Sequence, residues 1–405
     1  MSAAPHAPLS RRLFLKGSAL VGCSLAAQPW MTTVTFAAAP WDHRLVIIIL
    51  RGAMDGLDVV RPVGDPAFAA YRPSLMQGDP VLGLAERFAL HPALAPLMPL
   101  WKAGQLGFAH AVSTPYRDKR SHFDGQDILE AGTGLDVPEP QVKDGWLNRM
   151  LQGIPGLSAE TAFAVGRDEM KVLLGPAAHS EWAPDTRLTL SAQSRRLLAR
   201  VYADDPLFHA ASEQAMELTS RLAAQPVEGM AMMPGPAPAS DRADDQIASF
   251  AAQQLRGATR IAAFSITGWD THAAQRATLS RVLGQLASTI LTLRRELGPV
   301  WDQTAVLAMT EFGRTARENG TQGTDHGTGG VLLMAGGAIK GGKVYGRWPG
   351  LADNDLFEQR DLMPTADVRS YAAWTMRGLY GLDQGVLERT VFPGLDMGAD
   401  PGILL

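Results

Sequence analysis

LVIIIL, at residues 45–50, is an unbroken apolar run in which four of the six residues are β-branched. Such a run is typical of a strand whose two faces are both covered, as in a parallel sheet between helices. Outward from it, the pattern predicts further strands at 106–112, 163–165, 172–174, 261–266, 304–310 and 331–335. Helices are predicted at 91–101, from Ser121 onward, and at 191–222, 241–260, 276–297 and 366–380. Strands that alternate with helices indicate an α/β sandwich with a mostly parallel central sheet.

The domain organisation predicted from the sequence is simple. Residues 40–405 are expected to form a single domain. The stretch 223–240 within it is rich in Pro, Met, Ala and Gly, and such a composition predicts a flexible linker.

Residues 1–39 have the features of an export signal. The string SRRLFLK at 10–16 contains a twin-arginine pair, and an apolar run and an alanine-rich end follow it. We therefore expect the chain to fold in the cytoplasm, to cross the inner membrane through the twin-arginine translocase, and to act in the periplasm. Cleavage is expected between Thr35 and Trp41. An alternative is the string LVGC at 20–23, which fits a lipoprotein box and would attach a lipid anchor to Cys23.

Composition narrows the chemistry that the mature chain can use. Cys23 is the only cysteine, so cleavage of the signal leaves no disulfide and no zinc-thiolate site. A metal would have to be held by His, Asp, Glu, Ser or Thr. Removal of the signal, with its three positive and no negative side chains, changes the formal charge from −4 to −7. This acidic balance without a basic run argues against a nucleic-acid partner, and no later stretch resembles a membrane span.

Polar clusters follow four of the predicted strands, where ligands usually bind in open α/β sheets. They are RGAMDGLD at 51–58, STPYR and SHFDGQD at 113–117 and 121–127, GWDTH at 268–272, and EFGR with TDHGTGG at 311–314 and 324–330. Each cluster alone is also typical of turns and helix caps. Their shared position predicts that the carboxylates and imidazoles meet at one sheet edge and bind a divalent cation there.

At the motifs RGxxDG, SHFD, GWDTH, EFGR and GTDHG the chain resembles a bacterial family of twin-arginine-exported proteins with a domain of unknown function. That family is similar to the alkaline phosphatase and sulfatase superfamily. The resemblance covers nearly all of the chain after the signal. It implies a three-layer α/β/α sandwich, typically two divalent cations, and a nucleophile at a helix start that attacks a phosphate or sulfate ester.

The resemblance also implies roles for individual residues. Ser121 would be the nucleophile, although STPYR at 113–117 faintly echoes a sulfatase motif. Because the mature chain offers no cysteine for formylglycine, and a tyrosine departs from that motif, sulfatase chemistry is disfavoured. The metal ligands would be Asp55, Asp270, His272, Glu311 and His326.

Two further features qualify this assignment. Phe312 stands where the superfamily usually has a histidine ligand, and His122, Asp124 or Asp325 are the candidates to replace it. The clamp for phosphate oxygens is expected to be Arg314, with Arg117 or Arg120 as alternatives.

Two functions follow from these residues. The first is an exported hydrolase of a small anionic phosphate or related ester, which uses a divalent metal: zinc first, with magnesium or manganese as alternatives. The second is a non-catalytic envelope protein that binds or assembles a partner. Asp270, His272, Glu311 and His326 favour the first function, and Phe312 favours the second.

Overall fold

The computed structural model describes residues 41–85, 87–117, 119–134, 142–184 and 239–405. The predicted signal at 1–39, the lipid-anchor alternative at Cys23 and the helix predicted at 191–222 lie outside these residues. Residues 223–238 of the predicted linker also lie outside them, and its last two residues belong to a helix that begins at Ala239.

The strands and helices are numbered in chain order over the described residues. The strands are β1 (Arg44–Arg51), β2 (Val60–Arg61), β3 (Leu82–Gly83), β4 (Ala89–Leu90), β5 (Leu106–Ser113), β6 (Ala162–Val165), β7 (Ser180–Trp182), β8 (Ile261–Thr267), β9 (Thr304–Met309), β10 (Gly330–Ala335), β11 (Val344–Tyr345), β12 (Leu356–Phe357), β13 (Asp361–Leu362) and β14 (Ala366–Asp367). The α-helices are α1 (Gly56–Val59), α2 (Pro66–Tyr71), α3 (Met98–Lys102), α4 (His122–Ala131), α5 (Trp146–Gln152), α6 (Ala239–Arg256), α7 (Gln275–Leu297), α8 (Val368–Tyr380) and α9 (Gln384–Val386). Short 3₁₀ segments occupy Pro92–Leu97, Ala159–Thr161, Lys171–Leu173, Gly298–Gln303 and Asp353–Asp355, and a π turn occupies Leu387–Val391.

The central sheet has the strand order β11-β5-β10-β9-β1-β8-β6-β7, and β14 also pairs with β5. The predicted first strand β1 lies in the interior of this sheet and runs parallel to both β8 and β9. Among the described strands of the sheet, only β10 runs antiparallel to its neighbours. Because of this reversal, the start of β10 lies beside the carboxyl end of β5, where Gly330 is opposite Val112. The loop that precedes β10 therefore reaches the same edge as the loops that follow β1, β8 and β9.

Helices cover both faces of the sheet, and β1 shows why. Its alternate residues Val46, Ile48 and Leu50 belong to the core that also contains the apolar faces of α6 and α7. The residues between them, at 45, 47 and 49, belong to the opposite core with α5 and α8. All six side chains are fully buried. The prediction of an α/β fold with a mostly parallel, doubly covered sheet is confirmed.

Two predicted elements differ from the structure. The strand predicted at 172–174 is wrong: Lys171–Leu173 is a 3₁₀ turn. The main chain there bonds to helical segments, because the Val172 amide donates to the buried Glu130 carboxylate and the Leu174 carbonyl accepts from Gly145 at the start of α5.

The helix predicted at 91–101 is instead the 3₁₀ segment Pro92–Leu97 followed by α3. Pro96 lies inside the 3₁₀ segment, and proline cannot donate the bond that an α-helix would require there.

No described helix combines the length with the apolar character that crossing a bilayer requires.

Candidate metal centre

Three histidine rings converge on one carboxylate at the carboxyl edge of the sheet. The Oδ1 atom of Asp270 lies 3.1 Å from Nε2 of His272 and 3.4 Å from Nε2 of His326. Its Oδ2 atom lies 3.4 Å from Nε2 of His122. The loop after β8 supplies Asp270 and His272, the first turn of α4 supplies His122, and the loop before β10 supplies His326. The structure thus brings Asp270, His272 and His326 together, as the sequence predicts.

The δ-nitrogen of each of these histidines has an acceptor behind it. Nδ1 of His122 lies 2.8 Å from Oε1 of Glu311, and Nδ1 of His272 lies 3.1 Å from Oδ1 of Asp325. Nδ1 of His326 lies 2.7 Å from the carbonyl oxygen of Arg120. These acceptors assign the proton of each neutral ring to Nδ1, so that the lone pair of each Nε2 faces Asp270. Metal-binding histidines are usually oriented in this way.

Nε2 of His122 gives an independent test of whether the centre suits a cation. This nitrogen is buried, and it has no hydrogen-bond partner among the residues that the structure describes. Nε2 of His272 and Nε2 of His326 lie only 2.9 Å apart. Two such lone pairs and one unpartnered nitrogen around a carboxylate fit a divalent cation with a preference for imidazole.

Close approaches of main chain assemble these loops. Gly52 has φ +120°, and a Cβ atom there would lie 2.7 Å from the Asp270 amide nitrogen. Only glycine meets both conditions, and so the loop after β1 can pack directly against the loop after β8.

Glu311 supports the centre from behind His122. Its side chain is fully buried. Oε1 accepts hydrogen bonds from the amides of Gly52 and Ala53 at 2.9 and 3.1 Å, and from Nε2 of Gln126 at 3.2 Å, in addition to the contact with His122. Burial raises the pKa of Glu311, but the hydrogen bond from His122 and the other donors outweigh it and leave the pKa lowered. The same hydrogen bond is the main cause of the raised pKa of His122.

Phe312 forms an apolar wall of the centre. Its ring stacks on that of His122 with centroids 5.2 Å apart, and it contacts the ring of His326 at 5.2 Å. Gly125 in α4 makes room for it, since a Cβ atom there would lie 2.9 Å from the Phe312 ring. The residue that replaces the expected histidine thus holds two of the three imidazoles in place.

Arg314, the predicted phosphate clamp, is fully buried and anchors Asp270. NH2 donates to Oδ1 of Asp270 at 2.6 Å and to the carbonyls of Gly52 and Trp269. Nε donates to the carbonyl of Ala53, and NH1 donates to that of Thr324. Burial raises the pKa of Asp270, but the bond from Arg314 outweighs it and the pKa is lowered. In this geometry Arg314 joins the strand-end loops and fixes the carboxylate.

The other two clamp candidates are also bonded to the protein. Arg117 donates to the carbonyls of Thr114 and Tyr116, both at 2.6 Å. Arg120 pairs with Glu358 at 2.8 Å and with Asp361 at 3.3 Å.

Asp55 belongs to a different network. It is buried, and its Oδ1 atom caps α1 by accepting from the Asp58 amide. Its Oδ2 atom pairs with Arg72 at 2.7 Å and accepts from Gln275 at 2.7 Å. Burial raises the pKa of Asp55, and the charge of Arg72 outweighs it and lowers the pKa. The structure therefore does not bring Asp55 to the three histidines.

Ser121 is the N-cap of α4, which begins where the sequence predicts a helix start. Its hydroxyl accepts from the Asp124 amide at 3.5 Å, and its own amide donates to the Tyr116 hydroxyl at 2.8 Å. The side chain is half-buried and directly precedes His122.

Fold and site together define an α/β protein with a histidine-rich candidate metal centre at the carboxyl edge of its sheet. The chain belongs to the family described as "Protein of unknown function (DUF1501)", whose family model matches residues 108–390. The family resemblance predicted from the motifs is thereby confirmed. No curated protein matches the chain in sequence.

Several solved structures are similar to this one. One is the lipoteichoic acid synthase LtaP from Listeria monocytogenes, with a TM-score of 0.40 and 8% identity over 91% of this chain and 80% of that chain. Another is a protein in the alkaline phosphatase superfamily from Vibrio parahaemolyticus, with a TM-score of 0.41 and 12% identity over 91% of this chain and 75% of that chain. A third is a mutant of TAB5 alkaline phosphatase with Mg bound in its M3 site, with a TM-score of 0.32 and 11% identity over 73% of this chain and 90% of that chain.

Proposed function

We propose that this protein is an exported metal-dependent hydrolase of a phosphate or related ester. The observation that carries the proposal is the convergence of three histidine Nε2 atoms on Asp270, each ring being held from behind through Nδ1. His122, Asp270, His272 and His326 would hold the cation. Three imidazoles and one carboxylate favour zinc over magnesium or manganese, which prefer oxygen ligands.

Different residues around the centre would perform different steps of ester hydrolysis. When bound, a divalent cation supplies positive charge that polarises an ester oxygen and makes a hydroxyl nucleophile more acidic. Ser121, one residue before His122, would be that nucleophile. The amides in the first turn of α4 would stabilise an anionic oxygen of the substrate, because they point out of the helix N-terminus. The choice of a phosphate ester rests on the resemblance of the family motifs to the alkaline phosphatase superfamily.

The Ser121→Ala variant tests the proposed nucleophile. We expect purified wild-type protein to contain zinc and to hydrolyse p-nitrophenyl phosphate or bis-p-nitrophenyl phosphate. The variant should lose at least about 1,000-fold in turnover and keep its zinc. If Ser121 is only a helix cap, the variant should instead lose about 1 kcal/mol of stability and keep its activity. Zinc content, melting temperature and turnover are measured on one preparation.

Asp383→Ala is the matched control for this experiment. Asp383 caps α9 through the Val386 amide, outside the metal centre. This variant should lose similar stability and keep its activity. Retained turnover in Ser121→Ala would exclude Ser121 as nucleophile, and a zinc-loaded wild type inactive on every ester tested would favour the non-catalytic alternative.

Export is proposed to follow the twin-arginine route to the periplasm. Replacing Arg11 and Arg12 together by lysine should leave the precursor in the cytoplasm, because the translocase receptor reads the arginine pair. Immunoblots of periplasmic and cytoplasmic fractions measure the distribution. Undiminished periplasmic protein would contradict the route. In the separate variant Cys23→Ser, a shift from the membrane to the soluble fraction would reveal a lipid anchor.

A further inference from the structure

The centre has donors for a single position, and we infer that it is built for one divalent cation rather than the two that the superfamily resemblance implies. This inference rests on the proposed metal-dependent function and adds the number of cations to it. Three independent features carry it: the spacing of the donor atoms, the hydrogen bonds of the other two predicted ligands, and the location of Phe312.

The spacing of the donors matches one tetrahedral position. Two ligands of a tetrahedral zinc, each about 2.0–2.1 Å from the ion, are separated by about 3.3 Å. Oδ1 of Asp270 lies 3.1 Å from Nε2 of His272 and 3.4 Å from Nε2 of His326, and Oδ2 of Asp270 lies 3.4 Å from Nε2 of His122. Nε2 of His272 and Nε2 of His326 are 2.9 Å apart. One donor atom from each of His122, Asp270 and His326 lies within 4.8 Å of the other two. Donors this close together can all bind the same ion.

The other two carboxylates predicted as metal ligands, Glu311 and Asp55, are bonded to other groups of the protein. Oε1 of Glu311 already faces four donors, and Oε2 accepts from the Thr310 hydroxyl at 2.9 Å. Asp55 is neutralised by Arg72 and bonded by Gln275 and Thr324. Each carboxylate is buried with its own partners, so that moving it to a metal would leave buried donors without acceptors.

Phe312 closes one side of the centre. Its ring covers one face of His122 and contacts His326, and behind it lies a small apolar cluster of Ala53, Tyr116 and Ile128. A second hydrated cation on this side would have to displace an apolar ring that is 3% exposed. We therefore assign His122, Asp270, His272 and His326 as the ligands of the single cation, and Asp325 lies behind His272, at its Nδ1.

The number of cations is measured on the purified full-length exported protein. After removal of metal with a chelator, Zn²⁺ is titrated by calorimetry, and Co²⁺ is titrated by its visible absorption. We expect both titrations to saturate at one equivalent per chain. Saturation at two equivalents would overturn the inference and leave the proposed function standing. A folded chain that binds neither ion would contradict both.

The Glu311→Gln variant tests whether Glu311 only orients His122 or itself binds a cation. If Glu311 only orients His122, the variant should still bind one equivalent, with an affinity weakened about 10–100-fold. If Glu311 binds a second cation, the wild type should bind two equivalents and the variant one. Glu388→Gln is the matched control, because Glu388 is a partly buried carboxylate that accepts from Gln384 and from the Met397 amide. Glu388→Gln should change neither the number of bound cations nor the affinity for them. The wild-type titration decides the inference even if Glu311→Gln fails to fold.

Discussion

Asp270→Ala is expected to lose its cation and its hydrolytic activity together. Asp270 is the carboxylate that all three Nε2 atoms approach, and it supplies the one negative charge among the proposed ligands. Without it, the cation is held by neutral imidazoles alone and beside the positive charge of Arg314, 2.6 Å from the present carboxylate. Loss of an outer partner of a ligand costs about 10–100-fold in metal affinity, so loss of this ligand should cost more than about 100-fold. Zinc content after dialysis and turnover at saturating zinc provide the measurements.

Asp325→Asn is the graded comparison for that variant. Asp325 contacts Nδ1 of His272, on the opposite side of the ring from the Nε2 atom that faces Asp270, and it also accepts from Asn319. We therefore expect its replacement to perturb the orientation of His272 rather than to remove a ligand. We expect zinc affinity to fall by about 10–100-fold, less than in Asp270→Ala. Equal zinc content in wild type and Asp270→Ala would contradict the assignment of the centre.

The fold was predictable because its main signal is local. The run at 45–50 has no polar residue on either face, and the structure buries both faces under separate helical layers. The strand predicted at 172–174 is wrong because so short an apolar segment does not distinguish a buried strand from a buried turn. Val172 and Leu173 are as buried as strand residues, but their main chain bonds to α4 and α5, which the sequence pattern alone does not indicate.

The site was predictable only in part, because the sequence pattern places a carboxylate after a strand but does not indicate which group the carboxylate binds. The positions of Asp270, His272 and His326 beside strand ends were sufficient to predict that they meet. Asp55 and Glu311 also follow strands, but their partners come from residues distant in sequence. Arg72 pairs with Asp55, and the amides of residues 52 and 53 donate to Glu311. These bonds hold both carboxylates within the protein.

The sequence predicts His122 only as a substitute for the histidine that Phe312 replaces. The available signal was its place directly after the Ser121 cap, since a residue in the first turn of a helix at a sheet edge faces the loops around it. The structure adds two contacts that the sequence does not indicate, with Glu311 at its Nδ1 and Asp270 at its Nε2.

Arg72→Met is expected to lower the free energy of unfolding by about 3–5 kcal/mol, because it leaves the Asp55 charge buried without its cation. Arg72 is fully buried, pairs with Asp55 at 2.7 Å, and also donates to the carbonyls of Thr315 and Ala316. Urea denaturation followed by circular dichroism measures the change. The double variant Asp55→Asn with Arg72→Met should be less destabilised than the sum of the single variants, since it removes both charges.

The pair of Asp55 and Arg72 should also make the free energy of unfolding depend on pH. The folded pKa of Asp55 is lowered below its usual value of 3.8, so the pair stabilises the fold above about pH 4, and this contribution is lost as the pH falls through the folded pKa. Asp55→Asn should lack that part of the acid dependence. It should also keep one bound zinc, because its oxygens face Arg72 and Gln275 rather than the histidines. A folded Asp55→Asn protein without zinc would return Asp55 to the metal centre, as the sequence first suggested.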